Sequence, residues 1–214
     1  MRSPFIKSLI VIFLIFVALA TRADTNTLEL SSFLPGGCYH AGEYQQHKTL
    51  AGMDKALITD GSFAFNCNQG LIWHTQSPIT ETIIYKAQGN QFVVRADGTT
   101  QALEGRAQRA LGKILNNLIG GNSDYLRQTF SIAQKDDNVE LTPKNKQMQK
   151  FLLSLSITKP HADSVKIILQ LAQQETIAIR IFARRSFTTL EQTQCEQLPK
   201  LPPLACNMLF KGAH

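Results

Sequence analysis

Five histidines (His40, His47, His74, His161 and His214) and four cysteines (Cys38, Cys67, Cys195 and Cys206) are the side chains best suited to metal, nucleophilic or redox chemistry. Their spacing supports little of it. No two histidines stand four apart with an acid between them, as a helical zinc site requires, and there is no CxxC or Cys/His cluster. The chain has no GxSxG turn, phosphate-cradling glycine loop or recognisable pair of catalytic carboxylates. His74 alternates with Trp73 and is expected to face solvent, Asp136-Asp137 reads as a hairpin tip, and Arg184-Arg185 as a strand end able to meet anionic headgroups. The expectation is a protein that is not an enzyme and uses no cofactor and no metal.

The cysteines have a structural reading instead. Residues 1–7 carry Arg2 and Lys7, and residues 9–19 are an unbroken apolar run. Eleven residues are few for crossing a bilayer, which takes about twenty, so a secretory signal cleaved after Ala20 is expected in preference to an uncleaved anchor. A second candidate site follows Ala23. Cleavage after Ala20 removes both basic residues, leaving 194 of the 214 residues and lowering the formal charge from +6 to +4. That length suits one domain, residues 21–214. An even cysteine count in an exported chain reads as two disulfides. Three connectivities are open. The preferred one joins Cys195 to Cys206 across a short loop and Cys38 to Cys67, tying the start of the first strand to the end of the second. The small positive charge and the lack of a Lys/Arg run argue against nucleic acid as a partner.

The remaining signal is hydrophobic patterning. After a weak helix over residues 25–34, stopped by Pro35-Gly36-Gly37, short strands are expected over residues 41–50, 60–67, 70–75, 82–87 and 91–95. Connections this short make neighbours antiparallel. A helix over residues 101–118, capped by Thr100, places Leu103, Ala107, Leu111, Ile114, Leu115 and Leu118 on one side. Gly120-Gly121 ends it, and a turn is expected near residues 123–127.

Strands resume at residues 128–134 and 139–142. Three longer alternating strands follow, with Phe151, Leu153, Leu155 and Ile157, then Val165, Ile167, Leu169 and Leu171, then Ile177, Ile179, Ile181 and Ala183 on their apolar faces. From about residue 191 the prolines Pro199, Pro202 and Pro203 predict an irregular tail.

About ten antiparallel strands, each greasy on one face, form a sheet that curls. Periodicity alone leaves two outcomes open: a barrel filled by its own side chains, or a hollow covered by the helices.

The wording of several segments is informative here. Gly61-Ser62-Phe63, Gly70-Leu71-Ile72-Trp73 followed by Pro78, and the later stretch Asp137-Asn138-Val139-Glu140-Leu141-Thr142-Pro143 resemble the periplasmic outer-membrane lipoprotein carrier proteins, the LolA-like family, across residues 41–185. The resemblance implies a mainly β (α+β) fold: an unclosed, strongly curved antiparallel half-barrel with a helical lid over a hydrophobic cavity. It implies a periplasmic carrier for lipoprotein or other acylated lipid cargo, a monomer, served by an inner-membrane release complex and an outer-membrane receptor.

By the same resemblance Leu71 and Trp73 line the cavity, with Phe63 and Phe65 inward on the preceding strand. Ile83, Tyr85, Phe92 and Val94 from the following strands and Leu111, Ile114, Leu115 and Leu118 from the helix are expected to line it with them. One departure stands out. The family's arginine six residues before the tryptophan, which holds the lid closed, is here Cys67. The Gly-Leu-Ile-Trp wording looks closer to paralogues associated with aryl-polyene or glycolipid clusters. The alternative to a carrier is an envelope adaptor with a filled core.

Overall fold

A computed structural model describes residues 30–211, apart from 89, 162 and 163, and leaves the side chains of 159–161 undescribed. The expected signal and most of the first weak helix lie outside the described residues. Among the described residues, a 3-10 turn, Leu30–Phe33, stands before Pro35.

Strands β1 (Tyr39–Thr49), β2 (Leu57–Asn66), β3 (Gly70–Ser77), β4 (Glu81–Lys86), β5 (Gln91–Arg95) and β6 (Thr100–Ala102) form one meander. After helices α1 (Arg106–Ile119) and α2 (Ser123–Thr129), strands β7 (Phe130–Lys135), β8 (Asn138–Pro143), β9 (Leu152–His161), β10 (Ser164–Leu171) and β11 (Thr176–Ser186) form a second, interrupted by the short α3 (Lys146–Gln149). The two meanders join where β1 pairs with β11, giving the order β6-β5-β4-β3-β2-β1-β11-β10-β9-β8-β7 in one 11-stranded antiparallel sheet. The outermost strands β6 and β7 do not pair with each other, so the sheet is not closed.

Two irregularities redirect side chains that alternation alone assigns to the inner face. The register slips where β9 meets the end of β10, so Leu152 turns inward and Leu153 is left 52% exposed, against the expectation for Leu153. Ala183 takes φ +50° opposite the irregularity in β1 and is exposed, so the apolar face of β11 ends at Ile181.

The lid helix also starts later than expected. Residues 100–102 pair with β5 as β6, which withdraws Thr100 from a capping role, and α1 opens at Arg106 behind Gly105 with no side-chain cap. Gly105, expected inside the helix, is thus its N-cap. The tail is not irregular. Residues 192–196 form α4 (Gln192–Glu196) behind a Glu191/Gln194 capping box, and α5 (Pro203–Phe210) begins on a proline, whose missing N–H costs nothing at a first helical position. Prolines that exclude a strand do not exclude a helix start.

Each face of the sheet carries an apolar cluster. The inner cluster runs from Phe63, Leu71 and Trp73 through Ile114 and Leu118 of α1 to Leu141, Leu155 and Ile181. The outer one gathers Ala41, Ala64, Ile72, Ile84 and Val94 from β1 to β5 and closes them under Leu190, Leu201, Ala205 and Leu209 of the tail. The disulfides are Cys38–Cys67 and Cys195–Cys206, the preferred pairing. The first locks the ends of β1 and β2; the second staples α4 to α5.

Candidate functional site: a hollow under the lid helix

Beneath α1 the inner face is not filled. A cavity of about 530 Å3 is walled by Trp73, Ile83 and Tyr85 on one side and by Ile167, Leu169, Ile177 and Ile179 on the other. Leu111, Ile114, Leu115 and Leu118 of α1 roof it. Polar side chains in the wall are few; Gln46, Thr59, Thr75 and Glu81 are among them. Leu57 and Ile79 also contribute, and Ile79 is 76% exposed, so apolar surface continues from the cavity to solvent.

The floor is set by aromatic stacking. Trp73 lies against Tyr44 with ring centroids 3.7 Å apart, and Phe63 is 6.1 Å from Trp73. The Tyr44 hydroxyl shares a 2.8 Å hydrogen bond with Thr75 Oγ1, and burial raises its pKa. At the filled end of the same face His40 sits among Phe63 and Phe65, with centroid distances of 5.9 and 5.2 Å. Burial first, and then the nearby Arg184 cation, lower its pKa to about 4, so the ring is neutral at physiological pH.

The roof is lightly held. α1 has no acid in its first turn, no base in its last, and no side-chain cap at Gly105. It lies close to the sheet because of its glycines: a Cβ on Gly112 would stand 2.1 Å from Tyr85 Cε1.

The expected cavity residues therefore divide. Trp73, Ile83, Tyr85, Leu111, Ile114, Leu115 and Leu118 line the hollow. Phe63, Phe65 and Leu71 share its face but pack into the filled core beside it.

Phe92 and Val94 need correction: they lie on the opposite face, under the tail. The register pairs Ile83 with Val93, and Ile84 and Thr82 with Phe92 and Val94, so it is Val93 that reaches the cavity. The sequence misleads here because Phe92, Val93 and Val94 make β5 apolar on both faces.

His74 is also corrected. It does face outward, but the tail covers that surface, leaving it 7% exposed with Nδ1 2.8 Å from Thr82 Oγ1 and its pKa lowered by burial. Sequence reasoning missed Leu57, Ile79 and the β10–β11 wall, and it placed Leu103 on the helix although that residue lines the hollow from the link before α1. The alternation of β10 and β11 was visible, but their place beside β1 rests on a pairing between distant parts of the chain. Cys67, at the position of the family arginine, is bonded to Cys38, so no cationic latch forms from that position.

The described helices include none long and apolar enough to cross a membrane. No curated protein matches the sequence. Among solved structures, a LolA superfamily protein from Nitrosomonas europaea is similar at 11% identity, covering 76% of this chain and 93% of its own, with a TM-score of 0.46. A DUF1329 family protein from Desulfovibrio piger is similar at 10% identity, with 73% and 88% coverage and a TM-score of 0.45. A putative outer membrane lipoprotein-sorting protein domain from Vibrio parahaemolyticus is similar at 8% identity, with 86% and 96% coverage and a TM-score of 0.46. The outer membrane lipoprotein carrier protein LolA family matches residues 39–189, most of the chain, and the protein belongs to that family.

Proposed function

We propose that the protein shelters an acyl chain in the hollow beneath α1 and carries it, as part of a lipoprotein or related acylated lipid, through the periplasm toward the outer membrane. The observation that carries this reading is the unfilled apolar space of about 530 Å3 under the helix. Small-molecule sites typically occupy roughly 300–1,000 Å3.

Taking a chain out of water returns about 0.8 kcal/mol per methylene, so one chain gives reversible binding and several give much more. A carrier must hold its cargo against water and still give it up. A roof without an N-terminal side-chain cap or complementary end charges can be lifted at modest cost, which meets both demands. On this reading the chain is a monomeric carrier and not an enzyme, exported by a signal cleaved near residue 20, and it exchanges cargo with an inner-membrane release complex and an outer-membrane receptor.

Native mass spectrometry of the protein purified from its own periplasm, followed by lipid extraction, tests the reading. A bound acylated species is expected, and Trp73 emission should shift when a long-chain lysolipid is added. Ligand-free protein whose Trp73 emission ignores added lipid would leave the envelope-adaptor alternative in its place.

A further inference from the structure

On the other side of α1 lies a second hollow, of about 830 Å3 and opposite character. Lys86 from β4 and Arg109 and Lys113 from α1 line it, with the amides of Gln91 and Asn116; no aspartate or glutamate does. None of the three cations has an ion-pair partner among the described residues. Lys86 donates to the Lys211 carbonyl, Arg109 to the carbonyls of Leu103 and Glu104, and Lys113 sits over the Tyr125 ring at 5.5 Å.

Two arrangements here are costly without a ligand. α1 carries no acid at all, and Arg106 and Arg109 stand in its first turn, where they add to the positive end of its own dipole, with Lys113 one turn further on. Asn116 Oδ1 and Gln91 Oε1 are buried acceptors with no hydrogen-bond partner. An anion carrying hydroxyl groups answers both, pairing with the cations and, once the side chains of Gln91 and Asn116 turn to expose their oxygens, giving hydrogen bonds to the amides.

The two hollows share a wall. Tyr85 lines both, and α1 crosses its ring at Gly112. One side of this divider is apolar and the other cationic, which is the layout an anionic amphiphile fits.

We propose that the polar hollow is a binding site for a phosphate-type anion, the headgroup of an amphiphile whose tail occupies the apolar cavity. The proposal rests on the acyl-chain reading above and narrows the cargo to anionic lipids. A tail under Leu111 and Leu115 and a headgroup at Lys86 and Lys113 require the Tyr85 ring to turn aside or α1 to lift, so both ends of the ligand act on the same helix.

The test titrates the full mature protein with lysophosphatidylglycerol, a monoacylglycerol of the same chain length, and inorganic phosphate, following Trp73 emission for the lipids and heat for phosphate. The proteins are wild type, a Lys86→Gln/Lys113→Gln double variant and a Lys135→Gln control at an exposed hairpin turn. Wild type and control are expected to prefer the charged lipid by about tenfold, and the double variant to lose that preference while binding the neutral lipid unchanged. A double variant that keeps the preference overturns the site. Phosphate that binds wild type and not the double variant, with no preference between the lipids, overturns the amphiphile assignment in favour of a free-anion site. If neither lipid binds wild type, the acyl-chain reading itself fails; a missing charge preference alone leaves that reading standing.

Discussion

The inner and outer faces of this sheet carry the same kind of side chain and are finished in different ways. Outside, Ile72, Ile84 and Ala64 meet Ala205, Cys206 and Leu209 of a tail closed on itself by a disulfide, and all six are fully buried. Inside, the roof is a helix without a side-chain cap that leaves about 530 Å3 vacant. A stapled cover makes a patch permanent, whereas an unstapled one over an empty space leaves it able to admit a guest. The difference lies in the covers and not in the hydrophobicity of the faces, because β3 and β4 supply apolar residues to both.

A charge placed in the sealed face tests that difference most severely. Ile72 is fully buried there. Ile72→Asp is expected to cost about 4 kcal/mol or more, since it removes packed methyl groups and buries a carboxylate with no partner. Urea unfolding measures it, and a loss below about 1 kcal/mol would mean that the tail opens readily and the outer face is no more closed than the inner.

The filled end of the inner face has its own probe in His40. Its pKa falls from about 6.5 unfolded to about 4 folded, chiefly through burial and then through Arg184. A depressed folded-state pKa means the protein excludes a proton that the unfolded chain accepts, so this stabilisation is whole above pH 6.5 and is lost as pH falls toward 4. The loss amounts to about 3 kcal/mol across that window. His40→Phe should flatten the urea midpoint against pH in that range, and an unchanged slope would locate the acid sensitivity elsewhere.

How much of this was legible in the sequence follows from the range of each interaction. Period-two runs located most strands within a few residues, since alternation is local. The disulfides were legible because one spans a short loop and the other joins the ends of two paired strands. The far wall, Ile167, Leu169, Ile177 and Ile179, shows in the sequence as an apolar face without a destination, because β11 finds β1 across more than a hundred residues of chain. Phe92 and Val94 lie on the face opposite to the expected one because Phe92, Val93 and Val94 make β5 apolar on both sides, so its pattern carries no direction. His74 was expected in water because its cover was a proline-rich segment that read as irregular. Whether the hollow is filled depends on side-chain volumes meeting in space, which no periodicity encodes.

The staple itself comes next in size. Cys195 and Cys206 are 11 apart in sequence, and losing a link over a loop that short costs about 2–3 kcal/mol through the greater freedom of the unfolded chain. Cys195→Ser/Cys206→Ser should lower the urea midpoint accordingly and leave lipid uptake at wild-type level below the transition. Uptake lost from a protein that is still folded would show that the outer cover serves cargo as well as stability.

The smallest effect on stability should accompany the largest effect on cargo. Leu115 lines the hollow from α1 and is only half-buried, so Leu115→Glu gives up little packing and keeps a good helix former in place. The expected loss is about 1 kcal/mol in unfolding, because the new carboxylate faces vacant space that water can enter. An acyl chain meets that carboxylate differently: it must either bury the charge or leave part of the cavity wet, and affinity for a long-chain lysolipid should drop about a hundredfold. Leu71→Glu is the wrong probe for this purpose, since Leu71 is fully buried in the filled core beside the hollow and its replacement would unfold the protein before any cargo is offered. A folded Leu115→Glu protein that takes up lipid as wild type does would mean the chain binds elsewhere. One that unfolds as Ile72→Asp does would mean the space beneath α1 is as tightly sealed as the patch beneath the tail.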